Sequence, residues 1–228
     1  MPDTIITVIT RDRLDFLKQC VESLLASDIG DAHLLVIDNG SIDGTYKWLK
    51  TVGRVQQIIK NQRNVPQWQK SYALRQMWKQ VEASDAKYVS WVDDDMILKP
   101  EWLKAGKLVL DEREDVVAAA MHTDRLQERK HPTRSTVQIG DYEVRLKNTS
   151  NGPCWVVRRD FAEKFGIPKV TGRVDQKSMS DWYYDQKFLK MKPRPWLGVL
   201  DMSTHLGYKQ SLRMVLQGKR KPFKIARR

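Results

Sequence analysis

Short β-rich runs alternate with helical patterns along the first 121 residues, and this alternation limits the possible folds more than any other feature. The run Thr4–Thr10 is rich in β-branched residues and predicts a strand. Apolar residues recur at three- and four-residue spacing from Asp12 to about Ala26, which predicts an amphipathic helix. Further strands are predicted at residues 33–37, 55–60, 87–92 and 116–121. Such alternation builds right-handed βαβ units, so the sequence predicts an α/β fold with a mostly parallel sheet flanked by helices.

The alternation ends after Met121, and the rest of the chain follows a different pattern. Residues 122–137 are polar and predict a loop. Two strands and two helices are predicted beyond it, at residues 142–146, 153–157, 159–165 and 180–190. No stretch rich in Pro, Gly or Ser divides the chain. We therefore predict one domain over residues 1–217, whose second part, residues 122–217, is a smaller mixed region, and a basic tail of residues 218–228.

Positive charge is concentrated near the carboxyl terminus. The chain carries 40 Lys and Arg residues against 28 Asp and Glu residues, a formal net charge of +12. Residues 186–228 contain 12 basic residues and a single acidic one, Asp201, so this segment alone contributes +11. A nearly neutral body with a cationic end predicts attraction to an anionic partner, such as nucleic acid, an acidic membrane surface or an acidic glycan.

The apolar runs of the sequence are short. The longest uncharged ones, such as Thr4–Thr10 and Trp196–Leu200, fall far below the roughly 20 residues that a spanning helix needs. The amino terminus lacks the pattern of a secretory signal. We therefore expect no transmembrane segment and a cytoplasmic protein, in the host cytoplasm if the source is viral. Cys20 and Cys154 form no CxxC pair and are predicted to fill the core.

Polar clusters follow three of the predicted strands, at residues 10–13, 38–39 and 93–95. Ligands of open α/β sheets bind beyond the carboxyl ends of the strands. The sequence contains neither GxGxxG nor Gly-Lys-Ser/Thr, which argues against a dinucleotide oxidoreductase and a P-loop NTPase. The adjacent carboxylates of Asp93, Asp94 and Asp95 repel one another, and Mg²⁺ or Mn²⁺ would offset this repulsion. A solvated acidic loop before a helix is the alternative.

Four segments resemble, in order and spacing, the motifs of family 2 glycosyltransferases: TVITRDR at 7–13, VIDNGSIDGT at 36–45, residues 61–64, and VDDDMILKP at 92–100. Weaker similarities follow in NGPCWVVRR at 151–159, Ser180-Asp181 and THLG at 204–207. The resemblance covers about residues 4–208 and implies a GT-A fold. It also implies a nucleotide-sugar-binding half over residues 1–121 and an acceptor half over residues 122–217.

For the donor, the resemblance implies a nucleotide diphosphate sugar, most often a uridine one. Thr10 and Arg13 would line the pocket for the base and phosphates, together with Arg11 and Asn64. Asp38 would accept a hydrogen bond from the ring N–H of the base. A turn residue that bonds its own loop is the alternative for Asp38.

For the cofactor, the resemblance implies Mn²⁺ or Mg²⁺ on the diphosphate. Asp95 would bind the metal, and Asp93 would face the ribose or the metal. Asp94 would point the other way if the strand pleat continued, and would support nucleotide-sugar binding. His205 would be a third metal ligand, although a lone histidine is as often a hydrogen-bonded structural residue.

Inverting transfer needs a base that takes the proton of the acceptor hydroxyl. The resemblance implies Asp181, although Ser180 stands where the family usually has Glu; Asp175 and Asp185 are substitutes, and a helix-capping role for Asp181 stays open. The sequence thus predicts a metal-dependent inverting glycosyltransferase. Its basic end favours DNA as acceptor, through a hydroxymethylated base of phage DNA. An enzyme of cell-surface polysaccharide or lipid-linked glycan, touching an anionic membrane peripherally, is the alternative, and a non-catalytic nucleic-acid-binding protein is a remote one.

Overall fold

The computed structural model describes residues 2–62, 70–122, 125–150, 153–165 and 190–206, and these residues form alternating strands and helices. The strands are β1 (Thr4–Thr10), β2 (His33–Asp38), β3 (Gln57–Lys60), β4 (Tyr88–Asp93), β5 (Met96–Leu98), β6 (Val116–Ala120), β7 (Ser135–Ile139), β8 (Tyr142–Lys147), β9 (Cys154–Arg158), β10 (Trp196–Val199) and β11 (Ser203–His205). The helices are α1 (Leu14–Ala26), α2 (Thr45–Leu49), α3 (Lys70–Glu82), α4 (Trp102–Glu112), α5 (Arg125–Lys130) and α6 (Arg159–Phe165).

Nine of these strands form one sheet, in the order β3-β2-β1-β4-β9-β6-β10-β8-β7. The first four strands in this order are parallel to one another. Beyond β4 the sheet is mixed, because β9 is antiparallel to both β4 and β6, while β10 is parallel to β6. Strands β5 and β11 form a separate antiparallel pair. The parallel half carries the strand ends at which a ligand is expected.

Two apolar clusters cover the two faces of the sheet. Side chains alternate along β1, so Ile6 and Val8 join the cluster of α1 and α4, while Ile5 joins the cluster of α3 and α6. Strands that are buried on both faces read as continuous apolar runs, which explains the sequence of Thr4–Thr10. Cys20 and Cys154 are unpaired and buried in the first cluster, as predicted.

The polar segment after Met121 differs from its prediction. Residues 122–137 are not a loop throughout, since they contain α5 and most of β7. β7 lies at the edge of the sheet and pairs only with β8 among the described strands, so most of its side chains meet solvent and an apolar pattern is not required. Helix α5 is held by a buried contact from β8, which a pattern within the segment does not reveal.

Two predicted features fall on parts of the chain about which the structure gives no description. The helix near residues 180–190 lies outside the described residues except for Lys190, and the basic tail lies wholly outside them. Within the described residues, no helix combines the length and apolar character needed to cross a bilayer.

Candidate active site

Three of the predicted site residues stand side by side at the carboxyl edge of the parallel half. Thr10 at the end of β1 is in register with Asp38 at the end of β2. On the other side of β1, Ile9 is in register with Asp93, the last residue of β4. Thr10 and Asp38 are buried, whereas Asp93 is half-buried. Parallel pairing thus brings polar groups from distant parts of the sequence to one line.

The loops that follow β1 and β2 are joined by hydrogen bonds. The amide of Asp12 donates to Ser41 Oγ over 2.9 Å, and Asp12 Oδ1 accepts from the amide of Ile42 over 2.8 Å. Asp12 adopts a positive φ of 49°, a conformation that Asp tolerates better than most residues. Asp43 Oδ2 accepts from the amide of Leu14, so the same pair of loops also fixes the start of α1. No sequence pattern predicted these contacts between the two loops.

Of the two carboxylate oxygens of Asp38, one accepts a hydrogen bond from a described residue and the other does not. Oδ1 accepts from the amide of Ser41 over 2.8 Å, which is the turn role considered above. Oδ2 is buried and has no hydrogen-bond partner among the described residues. The carbonyl of Asp38 accepts from the amide of Asn61, whose side chain pairs with Gln76. Asp38 is therefore rigidly placed, with one acceptor oxygen available.

Arg13 joins two carboxylates of the aspartate triplet. Its Nη1 donates to Asp94 Oδ1 over 2.7 Å and its Nη2 donates to Asp95 Oδ2 over 2.6 Å. Asp94 Oδ2 accepts from the hydroxyl of Thr10 over 2.7 Å. The guanidinium lies over the ring of Phe16, 4.8 Å from its centroid. Strand β4 ends at Asp93, and the side chains of Asp94 and Asp95 both contact Arg13.

Burial and charge act in opposite directions on this cluster. Burial raises the pKa of Asp94, whereas Arg13 and the Thr10 hydroxyl lower it by favouring the charged form. Burial outweighs them, and the resulting pKa is about 7. Burial lowers the pKa of Arg13, but the attraction of Asp94 and Asp95 outweighs it and raises the pKa above its ordinary value. The arginine therefore keeps its charge at any pH near neutrality.

Asp95 is the residue predicted to bind the metal, and Oδ1 is its second carboxylate oxygen. Oδ1 is buried, makes no hydrogen bond to a described residue, and lies 3.5 Å from His205 Nε2. His205 is brought there by β11, which pairs with β5 directly after the triplet. No three His, Cys, Asp or Glu side chains gather into a metal site within the part of the chain described. The pair still fits Mg²⁺ or Mn²⁺, which proteins commonly hold with one or two carboxylates plus substrate phosphates.

The remaining predicted site residues are Arg11, Asn64, Asp175, Asp181 and Asp185. The Nε of Arg11 lies 3.8 Å from Asp12 Oδ2, within its own loop. Asn64, Asp175, Asp181 and Asp185 lie outside the described residues.

A further residue near the cluster, His122, was not predicted from the sequence. This residue is buried just beyond the end of β6. Its ring centroid is 5.7 Å from that of His205, and its Nδ1 is 3.4 Å from Ser203 Oγ. The signal that could have found it is its position directly after the strand predicted at 116–121.

A model of one protein family matches most of the chain: glycosyl transferase family 2, over residues 5–168. The match includes the ends of β1, β2 and β4, and therefore Thr10, Asp38 and the aspartate triplet. A comparison with curated proteins found no match.

Solved structures of glycosyltransferases share the fold. The mannosyltransferase PcManGT from Pyrobaculum calidifontis, in complex with GDP-Man and Mn²⁺, aligns with a TM-score of 0.59 at 14% identity over 87% of this chain and 56% of that one. TarS 1–349 from S. aureus, in complex with UDP-GlcNAc, aligns with a TM-score of 0.57 at 17% identity over 88% and 56%. GalNAc-T7 with UDP, GalNAc and Mn²⁺ gives 0.60 at 11% identity over 89% and 43%. The chain thus spans about half the length of these proteins and has their GT-A fold.

Proposed function

The chain belongs to glycosyl transferase family 2, and we propose that it transfers a sugar from a nucleotide diphosphate sugar to an acceptor hydroxyl with the help of a divalent metal ion. One observation carries the proposal: the buried carboxylates of Asp38, at the end of β2, and of Asp95, in the turn after β4, each keep one oxygen without a hydrogen-bond partner among the described residues. Such oxygens are rare in folded proteins because they are costly. A ring N–H at Asp38 and a cation at Asp95 would satisfy both.

The geometry of Asp38 favours a uracil base. Uracil presents one ring N–H on its pairing edge, flanked by two carbonyl oxygens, and needs one acceptor. Guanine presents a ring N–H and an amino group side by side, which a carboxylate binds with both oxygens. Asp38 Oδ1 already accepts from the amide of Ser41, so Oδ2 is the oxygen that has no partner among the described residues, and a single ring N–H would satisfy it. The structural relatives bind both kinds of donor, as GDP-Man and UDP-GlcNAc.

The metal is assigned to Asp95, with His205 and Asp93 as further ligands. Asp95 Oδ1 and His205 Nε2 converge on one point, and Asp93 lies at the end of the same strand that leads into Asp95. Carboxylate oxygens suit Mn²⁺, and two of the structural relatives were solved with this ion. When bound, the ion would stabilise the charge that develops on the departing diphosphate.

The remaining chemistry is a displacement at the anomeric carbon with inversion. The acceptor oxygen forms a bond to this carbon while the bond to the diphosphate oxygen breaks, and the nucleoside diphosphate leaves with the electron pair. A carboxylate must take the proton of the acceptor hydroxyl. On the sequence resemblance, we propose Asp181 as the carboxylate that takes this proton. We propose that the acceptor binds to residues 122–217. Thr10 and the joined loops at Asp12 and Ser41 hold the donor pocket in shape.

The acceptor is proposed from charge alone. Residues 186–228 contribute +11, so an anionic acceptor would be attracted to this end of the chain. We propose duplex DNA with a hydroxymethylated base. A cell-surface polysaccharide or lipid-linked glycan is the second candidate, since the same charge would attract the chain to an anionic membrane surface.

The donor and metal sites are tested by calorimetric titration of UDP and GDP, each with and without Mn²⁺. We expect UDP to bind more tightly than GDP and Mn²⁺ to strengthen the binding. Asp95→Asn should remove most of the gain from Mn²⁺. Asp38→Asn should weaken UDP binding about 10- to 100-fold, both with and without Mn²⁺. The asparagine would present to the ring N–H either its NH₂ group, which cannot accept, or its neutral carbonyl oxygen, which accepts more weakly than a carboxylate.

The matched control is Asp31→Asn, an exposed aspartate in the turn before β2, which should leave all four titrations unchanged. Equal UDP affinity with and without Mn²⁺ in the unmodified chain would contradict the metal assignment. Binding of neither nucleotide under any condition would favour the non-catalytic reading.

A further inference from the structure

We infer that Arg13 is a positioning residue that orients the metal-binding carboxylate of Asp95, instead of a direct contact of the nucleotide. The inference rests on the proposed function, because it concerns the same metal site. The guanidinium donates to Asp95 Oδ2 over 2.6 Å and to Asp94 Oδ1 over 2.7 Å. Both bonds are charge-assisted, and the planar fork of arginine fixes the direction of each.

Arg13 is itself fixed on several sides. Asp94, which holds one arm of the fork, is almost fully buried and is held in turn by the hydroxyl of Thr10. The ring of Phe16 lies against the guanidinium at 4.8 Å, and the carbonyl of Arg13 accepts the amides of Phe16 and Leu17 at the start of α1. To reach a phosphate, the side chain would have to break two short bonds to carboxylates. It is therefore better placed to support Asp95 than to follow a substrate.

As a consequence, the two carboxylate oxygens of Asp95 have different surroundings. Its Oδ2 is held by Arg13 and its carbonyl accepts from the amide of Leu206 over 2.8 Å. This leaves Oδ1 buried, without a hydrogen bond to a described residue, and turned toward His205 Nε2 at 3.5 Å. Hydrogen bonds that orient a ligand carboxylate in this way typically change metal affinity by about 10–100-fold.

Charge and positioning predict opposite effects of removing Arg13. A guanidinium next to a cation site repels the cation, so on charge alone its removal strengthens metal binding. If Arg13 orients Asp95, its removal weakens metal binding because the carboxylate loses its fixed direction. Arg13→Gln separates the two effects, and Arg13→Lys keeps the charge while it removes the fork.

The experiment measures Mn²⁺ affinity at saturating UDP, by calorimetry and by the loss of the free-Mn²⁺ electron paramagnetic resonance signal. We expect Arg13→Lys and Arg13→Gln to weaken Mn²⁺ binding about 10–100-fold and to leave metal-free UDP affinity unchanged. Phe16→Leu, which removes only the supporting ring, should show a smaller loss in the same direction. The matched control is Arg113→Lys, since Arg113 makes a comparable two-armed bond to Asp115 on an exposed surface.

Unchanged or tighter Mn²⁺ binding in the two Arg13 variants would overturn the inference, and so would a loss of metal-free UDP binding, which would make Arg13 a nucleotide contact. Circular dichroism checks that each variant is folded. If the Arg13 variants do not fold, Phe16→Leu decides, and wild-type Mn²⁺ affinity in that variant rejects the inference. Failure of the proposed function is seen separately, as the absence of Mn²⁺-dependent UDP binding in the unmodified chain.

Discussion

Among single residues, Asp181 carries the most demanding assignment, because it must take a proton in the transition state. Asp181→Asn should reduce turnover about 10²–10⁴-fold and leave UDP and Mn²⁺ affinity unchanged, since the lost interaction acts on the acceptor hydroxyl and not on the donor. Turnover is followed as release of UDP in the presence of acceptor. Asp175→Asn and Asp185→Asn are the matched controls. If one of them loses turnover and Asp181→Asn does not, the role of base passes to that residue.

A second residue-scale feature is a buried lysine in the mixed half of the sheet. The side chain of Lys147 at the end of β8 is 1% exposed, and its Nζ donates to Glu128 Oε2 over 2.6 Å. Glu128 also accepts from the amide and the hydroxyl of Thr133. These bonds lower the pKa of Glu128 to about 2, and the bond from Lys147 has the largest effect. One half-exposed carboxylate thus ties α5, the following turn and β8 together.

This contact predicts a pH-dependent stability. Because the pKa of Glu128 is lowered on folding, its contribution is present above its unfolded pKa, about 4.5, and is lost as the pH falls toward 2. Glu128→Gln should lower the free energy of unfolding by about 1–2 kcal/mol at pH 7, a value reduced by solvent screening at the half-exposed carboxylate. The difference from the unmodified chain should shrink between pH 4.5 and 2, as measured by urea unfolding. Glu143→Gln, in an exposed pair with Arg145, should change little at any pH.

Among the elements, β10 packs closely against helix α4 at Gly198. A Cβ placed on Gly198 would lie 2.8 Å from Val109 Cγ1 on α4 and 3.2 and 3.3 Å from Val144 and Val116. These neighbours are β-branched and have few alternative rotamers. Gly198→Ala should therefore destabilise the protein by about 1–3 kcal/mol through overpacking.

Thermal unfolding measures this prediction. At this chain length each kcal/mol lowers Tm by about 2–4 °C. The matched control is Gly53→Ala, where an added Cβ meets no atom within 4 Å and φ is ordinary. A wild-type Tm for Gly198→Ala would show that α4 can shift away from β10 at no cost.

Strands β1, β2 and β4, whose own side chains are mostly buried, were predicted closely from sequence patterns. Strand β1 has the predicted bounds, Thr4–Thr10, because buried parallel strands read as apolar runs. Strand β2 ends one residue later than predicted, and β4 both begins and ends one residue later. The short strand β11 was missed, since it is held by pairing with β5 and not by a pattern of its own. The same pairing places His205 next to Asp95, so contacts made far along the chain complete the site.

On the scale of the whole molecule, the gathering of polar strand ends at one edge of the sheet followed from the sequence, but the contacts among these residues did not. Strand order places Asp38, Thr10 and Asp93 on one line, as expected for the carboxyl edge of a parallel sheet. The bond from Arg13 to Asp94 and Asp95 depends on where β4 ends and the chain turns. Such a turn is set by packing of the whole fold and not by a pattern within the aspartate triplet.

The charge distribution is also a property of the whole molecule. Residues 218–228 contain six Lys and Arg residues and no acidic residue. Charges of this kind neutralise phosphates without reading sequence. They would therefore strengthen binding to duplex DNA and leave the donor site, at the carboxyl edge of the sheet, unaffected.

Deletion of residues 218–228 should weaken duplex DNA binding and reduce the dependence of log affinity on log salt by as much as about 5, if all six charges contact phosphates. Hydrolysis of the nucleotide sugar by water should be unchanged, because Asp38 and Asp95 are untouched. A chain with the three tail arginines replaced by lysine keeps the charge and should bind as before. The assay offers duplex with hydroxymethylated pyrimidine and, separately, anionic vesicles, at near-physiological salt. Retention on vesicles, with no DNA binding and no sugar transferred to the modified base, would reject the DNA acceptor in favour of a glycan at a membrane surface.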